Sequence, residues 1–463
     1  MAPEPPGRLD LSSPRRLHLV GVGGAGMSAL ATVLVGMGHR VSGSDTSEAP
    51  VLTRLADEGV DVRTGNRAEH VEPGTDAVVY STAVPLDNVE LRAAAERDIP
   101  VVHRGVALGA ISAIRRTIAV AGSHGKTSSS ALLVSVLRAA GLDPGFVIGA
   151  DACEVGTNAA AGVGEWMVIE ADESDGSFLH LRPAVAVVTN VEPDHLDFHG
   201  GFEPLVGAFG RFLATAPERW CCADDAVAAR LATEHGARTY GEAHASDVGL
   251  REVRADADRV RFRVAVGDRV LPELTVRNGV KVAINATAAV AVASGLGVPD
   301  DAIAAGLAAF GGVVRRFEFR GERDGVAFVD DYAHLPTEVV AAIDTARRLG
   351  RRRVVVVFQP HRYSRTASIG PDFADAFAAA DEVVITDVYP AGESPIPGVS
   401  GRTVLRAVLD RHPRLSVSYL PRRADLVDVP RRLARPGDVV LTLGAGDLTT
   451  MPDVWLATPG GSP

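Results

Sequence analysis

The sequence has few cysteines, no long apolar run and no excess of positive charge. Its 463 residues include only Cys153, Cys221 and Cys222, a spacing that suits neither a disulfide framework nor a zinc site. The net charge of -11 argues against nucleic acid as the main partner, because duplex binding needs a basic face. No apolar run approaches the roughly 18–20 residues that cross a bilayer, so no membrane partner is expected. Small anionic ligands remain as candidate partners.

The length and the local pattern predict a multidomain α/β fold. Residues 1–15 lack the basic region and apolar core of a signal peptide, and we expect a flexible tail on a cytoplasmic protein. Beyond it, β-branched runs alternate with helical periods, which indicates βαβ units and parallel sheets. We predict Rossmann-like domains at 16–112 and 313–463. Between them, a central P-loop-like domain at 113–312 combines a parallel sheet with flanking antiparallel strands.

A glycine-rich turn follows the first predicted strand. In "HLVGVGGAGMS" the turn Gly21-Val22-Gly23-Gly24-Ala25-Gly26 opens a helix, a pattern typical of dinucleotide-binding folds. Such a turn can receive any pyrophosphate. At this point a nicotinamide cofactor and a nucleotide-like substrate both remain open.

A second glycine loop predicts a nucleoside triphosphate site. "GSHGKT", Gly122 to Thr127, follows the strand "TIAVA" and precedes a long helix, although Val120 stands where the full Walker pattern has glycine. Backbone N–H groups would face the phosphates, Lys126 would reach the β and γ oxygens, and Thr127 would bind Mg²⁺. With this site in the centre of the chain, a nicotinamide dehydrogenase becomes the least favoured alternative.

Two acidic segments follow apolar strands of the same domain. "EADESD" supplies Glu170, Asp172, Glu173 and Asp175, and "NVEPDHLD" supplies Glu192, Asp194, His195 and Asp197. Ligands of α/β sheets bind beyond the carboxyl ends of the strands, so these segments are candidates for the metal site.

The motifs as a set resemble the Mur ligase family. "GVGGAGMS", "GSHGKTSSS", "EADESDGSFL", "TNVEPDHLD", "DDYAHLPTE" and "FQPHRYSRT" occur in the order seen in that family, and the likeness runs from about Arg16 to Met451. The resemblance implies an ATP- and Mg²⁺-dependent amide ligation in cytoplasmic peptidoglycan precursor synthesis. ATP would phosphorylate the carboxylate of UDP-N-acetylmuramate, and the amine of L-alanine would attack the acyl phosphate.

The resemblance also implies roles for individual residues. Catalytic roles fall on Lys126, His195 and His334, and metal ligation on Thr127, Glu170 and His195. ATP binding would involve Gly122, Ser123, His124, Gly125, Lys126, Thr127, Ser128, Asn285, Arg316 and Asp331. The residues that would receive the UDP substrate, in domain 16–112, are Gly21, Gly23, Gly24, Gly26, Ser28, Ser44 and Asp45. The amino acid would be held in domain 313–463 by His334, Arg362 and Arg365.

Three departures from the family pattern keep alternatives open. Lys281 stands where the family usually has a histidine, Leu335 replaces the second histidine of a pair, and the helix after Thr127 begins with three serines. The alternatives are a ligase that joins a different amino acid or UDP-sugar acid, in specialised metabolism or muropeptide recycling, and a non-catalytic nucleotide-sensing or scaffold protein. The oligomeric state is not indicated.

Overall fold

The computed structural model describes residues 9–46, 49–255, 259–277 and 280–457, without the side chains at 197, 255, 280, 281 and 431. The prediction at Lys281 and residues 1–8 of the predicted tail therefore lie outside the described part. The chain forms two compact units. One comprises Met1–Glu252, Phe262–Val276 and Ala283–Gly311, and the other Val253–Arg261, Arg277–Val282 and Gly312–Pro463. The boundaries of the three predicted domains stay a prediction.

The first sheet has five parallel strands. They are β1 (Arg16–Val20), β2 (Arg40–Asp45), β3 (Asp61–Thr64), β4 (Ala77–Tyr80) and β5 (Val101–His103), and their order is β3-β2-β1-β4-β5. The helices of this region are α1 (Ala25–Gly36), α2 (Pro50–Asp57), α3 (Val89–Glu96) and α4 (Arg104–Ile114), with a 3-10 turn at Ala68–His70. The strand order reverses beside β1, so the glycine turn lies at the switch point, where such sheets bind ligands.

The second sheet has eleven strands. They are β6 (Arg116–Ala121), β7 (Gly145–Ala152), β8 (Thr157–Ala160), β9 (Trp166–Glu170), β10 (Val185–Val188), β11 (Glu218–Cys222), β12 (Arg238–Gly241), β13 (Val248–Ala255), β14 (Arg259–Val266), β15 (Arg269–Val270) and β16 (Leu274–Arg277). Their order is β15-β14-β13-β12-β11-β10-β6-β9-β7-β8, with β16 against β14. Strand β6 lies between β10 and β9 and is parallel to both, so the second glycine loop emerges between the two acidic segments.

The third sheet lies in the second unit and is parallel except at one edge. Its strands are β17 (Glu318–Arg323), β18 (Val326–Asp331), β19 (Val354–Phe358), β20 (Glu382–Ile385), β21 (Ser416–Tyr419) and β22 (Val439–Leu443). The order is β17-β18-β22-β19-β20-β21, and β17 pairs antiparallel with β18. The run Val354–Phe358 is buried at every position, as expected for an inner parallel strand with both faces covered.

Twelve further helices follow β6 in the described residues. They are α5 (Lys126–Ala139), α6 (Leu196–His199), α7 (Phe202–Ala214), α8 (Ala226–His235), α9 (Val280–Gly295), α10 (Asp300–Ala309), α11 (Pro336–Arg348), α12 (Tyr363–Ile369), α13 (Gly401–Arg411), α14 (Arg423–Leu426), α15 (Val429–Leu433) and α16 (Met451–Ala457). Short 3-10 segments lie at Ser177–His180, Gly370–Asp375 and Asp447–Thr450. Among the described helices, none combines the length and apolar character required to cross a membrane. The predicted α/β class is confirmed.

Candidate functional site

The first glycine turn is held closely against strand β2. The N–H groups of Gly21 and Val22 donate to the carbonyl oxygen of Ser44, at 2.8 and 3.0 Å. The N–H of Gly23 donates to Asp45 Oδ2 at 2.9 Å, and a Cβ at Gly23 would lie 2.8 Å from that oxygen. A side chain at position 23 would therefore displace the Asp45 carboxylate from the turn.

The two serines predicted to bind the UDP substrate at this turn donate their hydroxyl groups to other atoms of the protein. Ser28 Oγ donates to the carbonyl oxygen of Ala25 at 3.1 Å, and buried Ser44 Oγ donates to Glu90 Oε2 at 2.5 Å. Their role toward a UDP ligand stays a prediction. What the structure shows is that Ser44 connects the turn to a buried carboxylate.

Glu90 is the centre of a buried polar cluster beneath the turn. Its oxygens contact His18 Nε2 at 3.3 Å and His70 Nδ1 at 2.8 Å, and accept the Arg67 N–H at 2.9 Å. Burial alone would raise the pKa of Glu90, but the hydrogen bonds from His18, Ser44 and the Arg67 backbone outweigh it and lower the pKa to about 2.

The second glycine loop has the form of a phosphate-binding loop. Gly122 has φ +135°, and a Cβ there would lie 2.0 Å from Thr189 Oγ1, so only glycine fits. Gly125, at φ +79°, precedes the first residue of α5, and a Cβ there would lie 2.7 Å from Asn285 Oδ1. Asn285 therefore lies directly over the loop, although its predicted contact with adenine is untested.

Lys126, at the start of α5, is held by a buried carboxylate. Its Nζ lies 3.0 Å from each oxygen of Glu173 and 2.6 Å from the carbonyl oxygen of Gly122. Burial opposes the charge on Lys126, but Glu173, Asp172 and Glu170 outweigh it and raise the lysine pKa. Burial also raises the pKa of Glu173 to about 6, with a further contribution from Asp172 and in spite of Lys126.

Thr127 and Glu170 form a small set of hard oxygen atoms beside Lys126. Thr127 Oγ1 donates to Glu170 Oε1 at 3.0 Å, and Glu170 Oε2 accepts the N–H of Gly149 at 2.6 Å. Among the described residues, no group of three or more His, Cys, Asp or Glu side chains is arranged to hold a metal. One carboxylate and one hydroxyl fit Mg²⁺ bound together with phosphate, since that ion takes few protein ligands in nucleotide sites.

The loop after β10 closes the other side of the phosphate loop. Asn190 Oδ1 accepts the His124 N–H at 2.8 Å, and His124 Nε2 lies 3.1 Å from Glu192 Oε2. Ser123 Oγ accepts the N–H of Glu192 at 2.8 Å. His195, with φ +53°, lies with its Nε2 3.3 Å from Asp194 Oδ2. The structure thus places both predicted acidic segments against the same loop.

In the second unit, the predicted amino-acid residues surround His361. The rings of His334 and His361 are 5.9 Å apart between centroids, and Arg365 Nη1 lies 3.4 Å from His361 Nδ1. Arg362, at φ +66°, donates its N–H to the carbonyl oxygen of Tyr389, whose ring stacks on His361. Burial and the nearby cations lower the pKa of His361 to about 3, so its imidazole is neutral.

The remaining predicted ATP residues also lie in the second unit. Asp331 accepts the N–H groups of Phe317 and Ala333 at 2.7 and 2.8 Å, and burial raises its pKa to about 6 against the effect of Arg316. The guanidinium of Arg316 lies 5.1 Å from the centre of the Tyr332 ring. The structure therefore groups Arg316 and Asp331 with His334, and groups Lys126, Thr127, Glu170 and Asn285 within the first unit.

Leu335, the leucine that replaces the second histidine of the family pattern, is a buried residue. Leu335 is 6% exposed, and its N–H and that of His334 donate to Glu338 Oε2, at 3.1 and 2.9 Å, at the start of α11. The leucine side chain therefore packs inside the unit.

Comparison with known proteins identifies the family. Residues 16–116 match "Mur ligase family, catalytic domain", residues 120–293 "Mur ligase middle domain" and residues 315–446 "Mur ligase, glutamate ligase domain". The chain belongs to the Mur ligase family. A UDP-N-acetylmuramate--L-alanine ligase from Anaeromyxobacter sp. is 45% identical over 95% of this chain and 96% of the relative. One from Saccharopolyspora erythraea is 47% identical over 94% of this chain and 91% of the relative.

A solved structure supports the same placement within the Mur ligases. The UDP-N-acetylmuramate-alanine ligase of Thermotoga maritima superimposes with a TM-score of 0.80 and 26% identity, over 95% of this chain and 98% of that one. A murein peptide ligase from Psychrobacter arcticus, at 24% identity and a TM-score of 0.69, shares the fold. The predicted family is confirmed.

Sequence reasoning missed three residues that the structure brings to these sites. Glu173 was recognised only as one of several acidic residues, although it is the partner of Lys126. His361 and Arg104 have no predicted role, although His361 contacts Arg365 and Arg104 donates hydrogen bonds to Asp175 of the first acidic segment. The available signal was position, because His361 and Arg104 each stand just beyond the end of a buried or half-buried strand, where ligands of α/β sheets bind.

Proposed function

We propose that this Mur ligase joins L-alanine to UDP-N-acetylmuramate at the expense of ATP, in the cytoplasm. The observation that carries the proposal is the second glycine loop, where Lys126, Thr127 and Glu170 converge at the start of α5. The names of relatives that are 45% and 47% identical over nearly the whole chain support the choice of substrates.

The phosphate loop accounts for activation of the carboxylate. A carboxylate is a poor acyl donor until one of its oxygens carries a phosphate leaving group, so the γ-phosphoryl group must meet the lactyl carboxylate in line. Lys126 would neutralise the transferring phosphoryl group, and the loop N–H groups would hold the β-phosphate. Thr127 and Glu170 would hold Mg²⁺, which supplies charge neutralisation between the two anions when bound.

The proposed ligation proceeds in two steps. The substrate carboxylate oxygen attacks the γ-phosphorus, and ADP leaves. The neutral amine of L-alanine then attacks the acyl carbon, the phosphate leaves with the C–O bond electrons, and the amine releases its proton. His195, which follows β10 beside the phosphate loop, is proposed to act near the transferred group, as the resemblance implies.

The second unit offers a site for an amino acid. Arg362 and Arg365 are proposed to pair with the α-carboxylate, since guanidinium groups bind carboxylates with two parallel hydrogen bonds. The neutral ring of His361 accepts a hydrogen bond from Arg365, which orients that guanidinium, and the His334 ring lies 5.9 Å from the His361 ring between centroids. An amino acid with a free α-carboxylate is the expected ligand of this group.

The test is phosphate release by purified protein with ATP, Mg²⁺ and UDP-N-acetylmuramate. We expect release that depends on both the UDP-sugar and L-alanine, together with a product heavier than the UDP-sugar by one alanyl residue. Release that depends on a different amine would support the alternative of a ligase that joins a different amino acid. Absence of ATP turnover with any substrate would support the non-catalytic alternative.

A further inference from the structure

A single guanidinium connects the first glycine turn with the acidic loop that follows β9. Arg104 is the first residue of α4, and its side chain is 19% exposed. Its Nη2 donates to Asp175 Oδ2 at 2.8 Å and to Asp172 Oδ2 at 3.4 Å, and its Nε donates to Asp175 Oδ2 at 3.2 Å. Both carboxylates flank Glu173, the partner of Lys126.

The remaining nitrogen of Arg104 faces the glycine turn. A Cβ at Gly26 would lie 2.7 Å from Arg104 Nη1, so the absence of a side chain at position 26 is what admits the guanidinium. Within the described residues, Nη1 donates no hydrogen bond, whereas Nε and Nη2 are both engaged. Asp175 therefore holds the guanidinium through Nε and Nη2, and Nη1 can donate to a ligand.

The start of α1 beside this nitrogen also lacks partners. Gly24 provides no side-chain cap, the first turn carries no acidic residue, and in the described part of the chain the N–H groups of Ala25 and Gly26 have no acceptor. Uncapped N–H groups at a helix start favour an anion, and a neighbouring arginine strengthens that preference.

We propose that Arg104 is a further substrate-binding residue, which donates from Nη1 to the diphosphate of the UDP-sugar, and that Asp175 is the positioning residue that holds it there. The inference rests on the proposed function, because it takes the glycine turn as the UDP site. A guanidinium fixed by Asp175 loses little rotational freedom when it binds phosphate, which is the advantage of anchoring it.

The experiment is calorimetric titration of UDP and of UDP-N-acetylmuramate into four proteins: wild type, Arg104→Met, Arg104→Lys and Arg116→Met. Arg116 is the matched control, because it is an exposed arginine of the same unit whose partner is exposed Glu165. One charge-assisted hydrogen bond corresponds to about a 10- to 100-fold change in affinity. We expect that loss of affinity for Arg104→Met, a smaller loss for Arg104→Lys and none for Arg116→Met. The affinity of each variant for an ATP analogue should stay within about twofold of the wild-type value.

Asp175→Asn tests the positioning role separately. We expect it to raise the KM for the UDP-sugar while the KM for ATP stays the same, which a purely structural defect would not do. If Arg104→Met lowered only the melting temperature and bound UDP like wild type, Arg104 would be a structural ion pair and the inference would be overturned. If wild type itself bound no UDP-sugar, the proposed function would fail instead, so the two failures are distinguishable.

Discussion

Lys126 Nζ lies 3.0 Å from both carboxylate oxygens of Glu173, a residue that is itself almost fully buried. The charge of Lys126 is therefore balanced within the protein by Glu173. An incoming triphosphate has to compete with Glu173 for the lysine. Only two of the 47 lysine and arginine residues of the chain are lysines. A lysine at position 126 provides a compact, rotatable charge, which differs from the planar guanidinium of arginine.

Replacing Lys126 by Met should lower ligase turnover by about 10²- to 10³-fold, because one donor to the transferring group is removed. Phosphate release in the presence of all three substrates measures the effect. Arg138→Met, at the exposed far end of the same helix, is the control and should keep wild-type turnover. Equal rates for Lys126→Met and wild type would remove Lys126 from the proposed mechanism.

Glu173→Gln should bind an ATP analogue more tightly than wild type at pH 8, because the competing carboxylate is gone. The raised pKa of Glu173, about 6, gives the sign of the pH effect. As the pH falls through about 6, wild-type Glu173 takes up a proton and stops competing, so the two affinities should converge. Comparing the variant with wild type at each pH cancels the titration of the nucleotide itself. A ratio that stays constant from pH 8 to pH 5 would contradict this account.

Glu90→Gln should destabilise the protein by about 3 kcal/mol at neutral pH, since it leaves the buried partners of a charged group unmatched. The pKa of Glu90 is lowered from 4.5 to about 2, so its stabilising contribution is complete above pH 4.5 and is lost as the pH falls toward 2. Urea denaturation at several pH values measures this. Glu96→Gln, exposed on the same helix, should change little, and a similar loss there would show that the Glu90 cluster has no special role.

Arg365→Lys should raise the KM for L-alanine by about 10-fold or more, because a lysine cannot make two parallel bonds to a carboxylate. The KM for ATP should stay unchanged. Arg406→Lys, exposed on α13, controls for the substitution itself. An unchanged KM for alanine in Arg365→Lys would place the amino acid elsewhere.

The inner parallel strands could be predicted from the sequence, for a physical reason. Runs such as Val354–Phe358 are apolar at every position and stand next to a loop of polar residues, which is the signature of an inner parallel strand. The edge strands Asp61–Thr64 and Ser416–Tyr419 are not predicted, since each has only four residues and none of them is fully buried.

The ion-pair partners of the site residues are harder to predict from the sequence than the location of the sites. The carboxyl-end rule predicted that the "EADESD" segment lies beside Lys126, but not that Glu173 rather than Glu170 is the ion-pair partner. That choice depends on which side chain turns inward after β9, and Glu170 is instead fixed by Thr127 and the Gly149 N–H. Likewise, Arg104 lies 71 residues from Asp175 along the chain, a separation that local pattern does not bridge.

The most direct test of the central claim is mass spectrometry of the product formed from ATP, Mg²⁺, UDP-N-acetylmuramate and an equimolar panel of L-alanine, glycine, L-serine and larger amino acids. The account predicts an alanyl adduct of the UDP-sugar as the main product, formed with one phosphate released per adduct. A main product that carries another amine, or phosphate release without any adduct, would contradict it.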